Sequence, residues 1–137
     1  MKVHSTNYFN TLITVAEDCK VSHGTIPPEK ENKKTIANYQ FELLSKSPFK
    51  YTSDEALFTV HSKRNDLTLS QIEIEKIAFF SKGQPCFRTS PLPKTYGWGI
   101  YFNEEGKIKL IDSSSQEYIS LLNNTEIQKV AAMKSKR

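Results

Sequence analysis

The sequence predicts an α+β fold in one domain, with a small antiparallel sheet, including a hairpin over Trp98–Ile111, packed against several short helices. Three observations predict it. A β-branched and aromatic run near the start, residues 8–16, has no helical period. Hydroxyl residues that can cap helices recur before apolar residues at helical spacing. Two extended apolar runs flank Asn103-Glu104-Glu105-Gly106, a hairpin loop with glycine where a left-handed residue fits.

The elements follow in order. Tyr8 to Ala16 reads as a strand. Asp18 to Lys34 is a polar connection interrupted by Pro27-Pro28. Thr35 caps a helix that carries Ile36, Tyr39, Leu43 and Leu44 and stops before Pro48. Thr52-Ser53-Asp54-Glu55 is a capping box opening a helix to about Arg64, with Ala56, Leu57 and Val60 inward and His61 beside them. Ser70 to Glu73 repeats that signal for a helix whose core-facing residues are Ile74, Ile77 and one of Phe79 or Phe80, ending near Gly83-Gln84-Pro85. Cys86 to Thr89 reads as extended, and Pro91 to Tyr96 as one helical turn stopped by Gly97. After the Trp98–Ile111 hairpin, Ser113 to Ser115 cap a helix through Tyr118, Leu121 and Leu122, and a last helix starts at about Thr125.

At 137 residues, 37% hydrophobic and 11% aromatic, the chain is long enough for a real core and too aromatic for disorder. Its net charge of +4 comes from the end: Lys129, Lys134, Lys136 and Arg137 lie in a stretch without acids, and elsewhere the charges balance. Residues 129–137 are expected to form a basic, frayed tail on a neutral body. That is a poor footprint for nucleic acid, which favours a broad basic face. No signal-peptide run and no apolar stretch of membrane-span length occur, so the expectation is a cytoplasmic protein with no membrane partner.

The chemistry-bearing stretch is an acid-free window from Lys76 to Asn103. Lys82, Arg88 and Lys94 recur there every six residues, which fits no single helix or strand face, and Gly83, Pro85, Pro91 and Pro93 supply turns that allow them to converge. Tyr96 and Trp98, two apart, fall on one strand face, where a flat ligand can stack or a core can be lidded. Arg88 has two options: a carboxylate partner such as Asp54 or Glu55, or an anionic ligand. Cys19 and Cys86 make no disulfide framework, and with His4, His23 and His61 they show no metal-ligand spacing. No cofactor or metal is expected, and no catalytic residue is assigned.

Thr52-Ser53-Asp54-Glu55-Ala56-Leu57-Phe58, the run from Phe79 to Leu92, and Lys94-Thr95-Tyr96-Gly97-Trp98-Gly99-Ile100 carry a resemblance. The chain resembles a bacterial family of uncharacterised single-domain proteins of about this length, classed as a domain of unknown function. The resemblance implies a bacterial, free-standing, cytoplasmic protein and no reaction or ligand.

The residues therefore support three readings. In the first, a binding protein holds a small anion or an acidic peptide near Lys82–Ile100, with Lys82, Arg88, Lys94, Tyr96 and Trp98 as ligand-binding residues. In the second, an enzyme uses a Cys86 or His61 reactive group in the same pocket. The third, the weakest, is a nucleic-acid module using the window and the tail. Oligomeric state stays open.

Overall fold

A computed structural model describes residues 5–134. The fold is α+β, with five α-helices and one four-stranded sheet among the described residues. In chain order these are β1 (Thr11–Thr14), α1 (Ile36–Lys46), α2 (Ser53–Arg64), α3 (Leu69–Phe80), α4 (Pro91–Thr95), β2 (Trp98–Phe102), β3 (Ile108–Asp112), α5 (Gln116–Asn123) and β4 (Gln128–Ala131). The strands lie in the order β3-β2-β1-β4. β2 pairs antiparallel with both β1 and β3, whereas β4 runs parallel to β1, so the expected antiparallel sheet has one parallel edge. No helix among the described residues is long and apolar enough to cross a membrane.

The alternation of strand side chains divides the core in two. Ile13, Ile100, Phe102, Ile108 and Leu110 face α1, α2 and α4, burying Leu44, Ala56, Phe87 and Leu92 with them. Leu12 and Ile111 face the other way, where Tyr118 and Leu121 of α5 cover them together with Ile127. Gly99 is required on that face, because a Cβ there would meet Tyr118 Cε2 at 2.6 Å. The hairpin turns as its sequence dictates: Gly106 sits at φ +79° and Asn103 Oδ1 accepts from the Glu105 and Lys107 amides, each at 2.9 Å.

Both early helices open on reciprocal caps. The Asn38 amide donates to Thr35 Oγ1, while Asn38 Oδ1 accepts from the Thr35 amide at 2.7 Å. Thr52 and Glu55 make the capping box read from the sequence, with Thr52 N–H donating to Glu55 Oε1 at 2.9 Å. α3 departs from expectation. It starts two residues earlier, on Thr68, whose amide donates to Gln71 Oε1 at 2.9 Å. Ile74 and Ile77, expected in the core, are 72% and 60% exposed, and α3 buries no residue at all. Phe79 and Phe80 pack it on α2, with ring centroids 5.5 and 6.2 Å from Phe58, and Glu75 lies 3.7 Å from His61 Nε2.

Two further corrections concern local structure. Phe87–Thr89 is a 3₁₀ turn, not an extended piece, because the Thr89 amide reaches back to the Cys86 carbonyl at 3.0 Å. The helix expected from Thr125 is absent; that stretch leads into β4, drawn to the edge of β1 by its unpaired backbone groups. Lys129 onward, expected as a frayed tail, begins inside that strand, Ala132 is buried, and Lys134 Nζ lies 3.1 Å from Glu17. Residues 135–137 of that expectation lie outside the described residues.

Candidate functional site

α1, α2, the end of α3 and residues 84–91 enclose a cleft of about 260 Å³. α1 contributes Ile36 and Gln40, and α2 contributes Leu57, Val60, His61 and Arg64. Phe79 closes one side, and Gln84, Pro85, Cys86, Thr89, Ser90 and Pro91 form the facing wall. The volume lies just under the roughly 300 Å³ at which pockets for drug-sized ligands begin, so the space suits a small molecule. Most of the wall is apolar. No acidic residue lines it, and Arg64 is its one cation.

Arg64 arrives there because the α2 stripe that buries Ala56 and Val60 brings the last turn of the helix to the cleft mouth. Its guanidinium has no ion-pair or hydrogen-bond partner among the described residues. Deeper in, Gln40 is only 4% exposed. Ser90 Oγ, which accepts from the Leu92 amide to cap α4, donates its own proton to Gln40 Oε1 at 2.6 Å. In that arrangement Gln40 Nε2 has no partner among the described residues. No fully enclosed side-chain nitrogen or oxygen lacks a partner here, so Nε2 must border open space, and the space Gln40 borders is this cleft.

Most other polar groups have partners; Gln84 Nε2 donates to the Phe79 carbonyl at 2.7 Å, and its Oε1 has no partner among the described residues. Thr89 Oγ1 donates to the Cys86 carbonyl at 2.8 Å. Both nitrogens of His61 have neighbours: Nε2 lies 3.7 Å from Glu75 Oε2 and Nδ1 lies 3.5 Å from Asn65 Nδ2. The ring also packs against Phe79, with centroids 4.9 Å apart. Cys86 Sγ meets the Tyr8 hydroxyl at 3.6 Å. Burial pushes the Tyr8 phenol above its ordinary value, and the contact with Cys86 adds to the rise, so the hydroxyl keeps its proton.

None of the five residues expected to bind ligand lines this cleft. Arg88 Nε donates to the Ala131 carbonyl at 2.7 Å, tying the 3₁₀ turn to β4; neither Asp54 nor Glu55 approaches it. Trp98 donates its indole N–H to the Thr25 carbonyl at 2.8 Å and packs on Phe41, beneath a strap formed by Gly24 and Thr25. The Tyr96 carbonyl accepts from the Thr25 amide at 2.8 Å in the same strap. Lys82 is exposed after α3, and Lys94 is half-buried on α4. The three cations therefore do not gather around the cleft; its wall comes instead from the residues between Lys82 and Lys94.

The match that decides the family spans nearly the whole chain, residues 3–137. The protein belongs to a family of unknown function, DUF6157. No curated protein and no solved structure matches it.

Gln40 and Arg64 escaped the sequence reading. A signal for Gln40 exists, since it is the polar member of the Ile36, Gln40, Leu44 stripe on a core-facing helix. Arg64 looks like any cation in a last helical turn, where the dipole alone accounts for it. A larger hollow of about 390 Å³ lies on the other side of α3, near Tyr51, Phe58 and Phe80. It carries Asp54 and Glu55, which accept from Ser5, Thr6 and Thr52, against one cation, Lys76, so its net charge opposes an anion.

Proposed function

We propose that this is a binding protein for a small organic anion with an apolar body, seated between α1, α2 and residues 84–91. The observation that carries the reading is the unpartnered pair of donors in an acid-free, mostly apolar cleft: Gln40 Nε2 at depth and Arg64 at the mouth. Apolar walls supply affinity, and a few convergent polar groups set orientation. A carboxylate at Arg64 and a carbonyl at Gln40 would satisfy both donors at once. The reading keeps an anionic ligand near Lys82–Ile100, and moves its contacts to Gln40 and Arg64. A bacterial, cytoplasmic setting is the one the family resemblance suggests.

The polar contacts of His61 reach Glu75 and Asn65 and neither Cys86 nor a cleft hydroxyl, so no nucleophile–base pair is formed among the described residues and binding is favoured. The test is thermal denaturation with 3-benzoylpropionate, an aryl keto acid, and with inorganic phosphate. A ligand that binds only the folded state raises its melting temperature. The keto acid should stabilise the wild type, much less Arg64→Ala, and phosphate should do little to either. No stabilisation by the keto acid, or equal stabilisation of the variant, would refute the reading.

A further inference from the structure

The hydroxyls on the cleft wall near Cys86 are committed, whereas the one contact of the thiol, with the Tyr8 hydroxyl at 3.6 Å, leaves the sulfur able to react. Ser90 Oγ caps α4 and donates to Gln40, and Thr89 Oγ1 donates to the Cys86 carbonyl. Those two hydrogen bonds at Thr89, amide and hydroxyl, fix the Cys86 backbone, while the Tyr8 hydroxyl fixes Sγ from behind at 3.6 Å. The sulfur is thus a nucleophilic atom on the wall that is held in place and able to bond carbon. The same cleft holds Gln40, 4% exposed, with Nε2 unpartnered. A thiol and an idle amide donor bordering one apolar space are the two components needed to activate a conjugated carbonyl.

We infer that Cys86 is a covalent attachment site for small α,β-unsaturated carbonyl compounds, with Gln40 Nε2 donating to the carbonyl oxygen. This rests on the binding reading above. The thiol proton leaves to water, and Sγ forms a bond to the carbon β to the carbonyl. The carbon–carbon π pair shifts toward the carbonyl, whose oxygen takes the negative charge opposite Gln40 Nε2–H. Water then returns a proton to the carbon next to the carbonyl, leaving a thioether. No group leaves, and no oxidant or reductant is consumed.

The probe is 3-benzoylacrylate, which has the aryl ring, ketone and carboxylate of 3-benzoylpropionate plus the reactive double bond. Intact-protein mass spectrometry and peptide mapping follow its addition, with the half-buried Cys19 as internal reference. Expected is one adduct, on Cys86, formed about tenfold or more faster than on Cys19, since a bound electrophile meets an oriented thiol. Cys86→Ser should remove it. Gln40→Met, similar in length, deletes the donor without adding charge; it should slow addition about tenfold or more, as loss of an oxyanion donor does. Methyl methanethiosulfonate, which reacts at sulfur without a carbonyl, should label Cys86 equally in wild type and variant. Gln40→Leu, also uncharged and donor-free, serves if the methionine variant does not fold.

Addition to Cys86 no faster than to Cys19, or at a rate indifferent to both Gln40 substitutions, would overturn the inference. If 3-benzoylpropionate binds and Cys86 does not react, the attachment site alone falls. If neither happens, both proposals fall. Selective reaction without binding of the saturated acid would leave the attachment site standing and retire the reversible one.

Discussion

Arg88 Nε donates to the Ala131 carbonyl at 2.7 Å, and the Met133 amide returns a hydrogen bond to the Arg88 carbonyl at 2.9 Å. One residue therefore fastens the far end of β4 to the wall that carries Cys86. Arg88→Ala should cost about 1.5–3 kcal/mol, the range for hydrogen bonds to charged groups. Urea melts check it. Because Arg88 lies outside the cleft lining, the affinity of the variant for 3-benzoylpropionate should match the wild type.

Gly106→Val should destabilise by about 1–3 kcal/mol, since φ +79° is a left-handed backbone that a β-branched residue resists. A Cβ at that position would also press on Phe9 at 2.9 Å and on the Tyr8 carbonyl at 3.1 Å. Denaturant melts with no loss would relocate the turn.

The Val15 amide donates to the Tyr118 hydroxyl at 3.0 Å across the second core layer. Tyr118→Phe should cost about 1–3 kcal/mol, the penalty of leaving a backbone donor unsatisfied. Burial pushes this phenol above its ordinary value, outweighing the Val15 contact. Its contribution to stability is full below its unfolded value near 10 and is lost as pH rises through the higher folded value. Melting profiles above about pH 10 should fall less steeply for Tyr118→Phe.

Asp112 accepts from the Gly24 amide at 2.9 Å, and that bond, with those from Ser114, holds its carboxyl below the usual range. The stability it gives is present above the unfolded carboxylate value and is lost as pH falls through the folded one. Gly24 packs on Trp98, so the fluorescence of this single tryptophan reports the strap. Asp112→Asn should shift the acid-induced change in Trp98 emission and weaken its pH dependence below about pH 4.

Deleting Lys134 to Arg137 should leave the melting temperature nearly unchanged. The described contact there is an ion pair to Glu17 between exposed side chains, and such pairs contribute about 1 kcal/mol or less. A drop of many degrees in a thermal melt would show the end of the chain to be anchored more firmly.

Local backbone chemistry was the most legible part of the fold. The capping box at Thr52 and Glu55, the left-handed Gly106 and the helix start at Thr35 are decided by groups within a few residues of one another. α3 was misread because apolar residues occupy several of its faces, so period alone could not choose. The choice went to Phe79 and Phe80, which find Phe58 across the gap, and Ile74 and Ile77 were left outside. β4 was misread because Gln128-Lys129-Val130-Ala131 has little strand character of its own; its extension comes from β1, more than a hundred residues away in sequence. The cleft posed the same difficulty. The acid-free window does supply one wall, but Gln40 and Arg64 come from helices whose meeting no local pattern encodes.

α3 has a consequence for exchange of its backbone amides with solvent. A helix that buries nothing and is pinned by two aromatic rings belongs to the low-stability end of a domain, where protons exchange through openings far smaller than global unfolding. An opening of α3 would withdraw Phe79 from the cleft, whereas Gln40, Arg64 and Cys86 belong to other segments. Entry and exit of a ligand would then be timed by the fraying of one helix, and a bound molecule that touches Phe79 would slow deuterium uptake along the whole of α3.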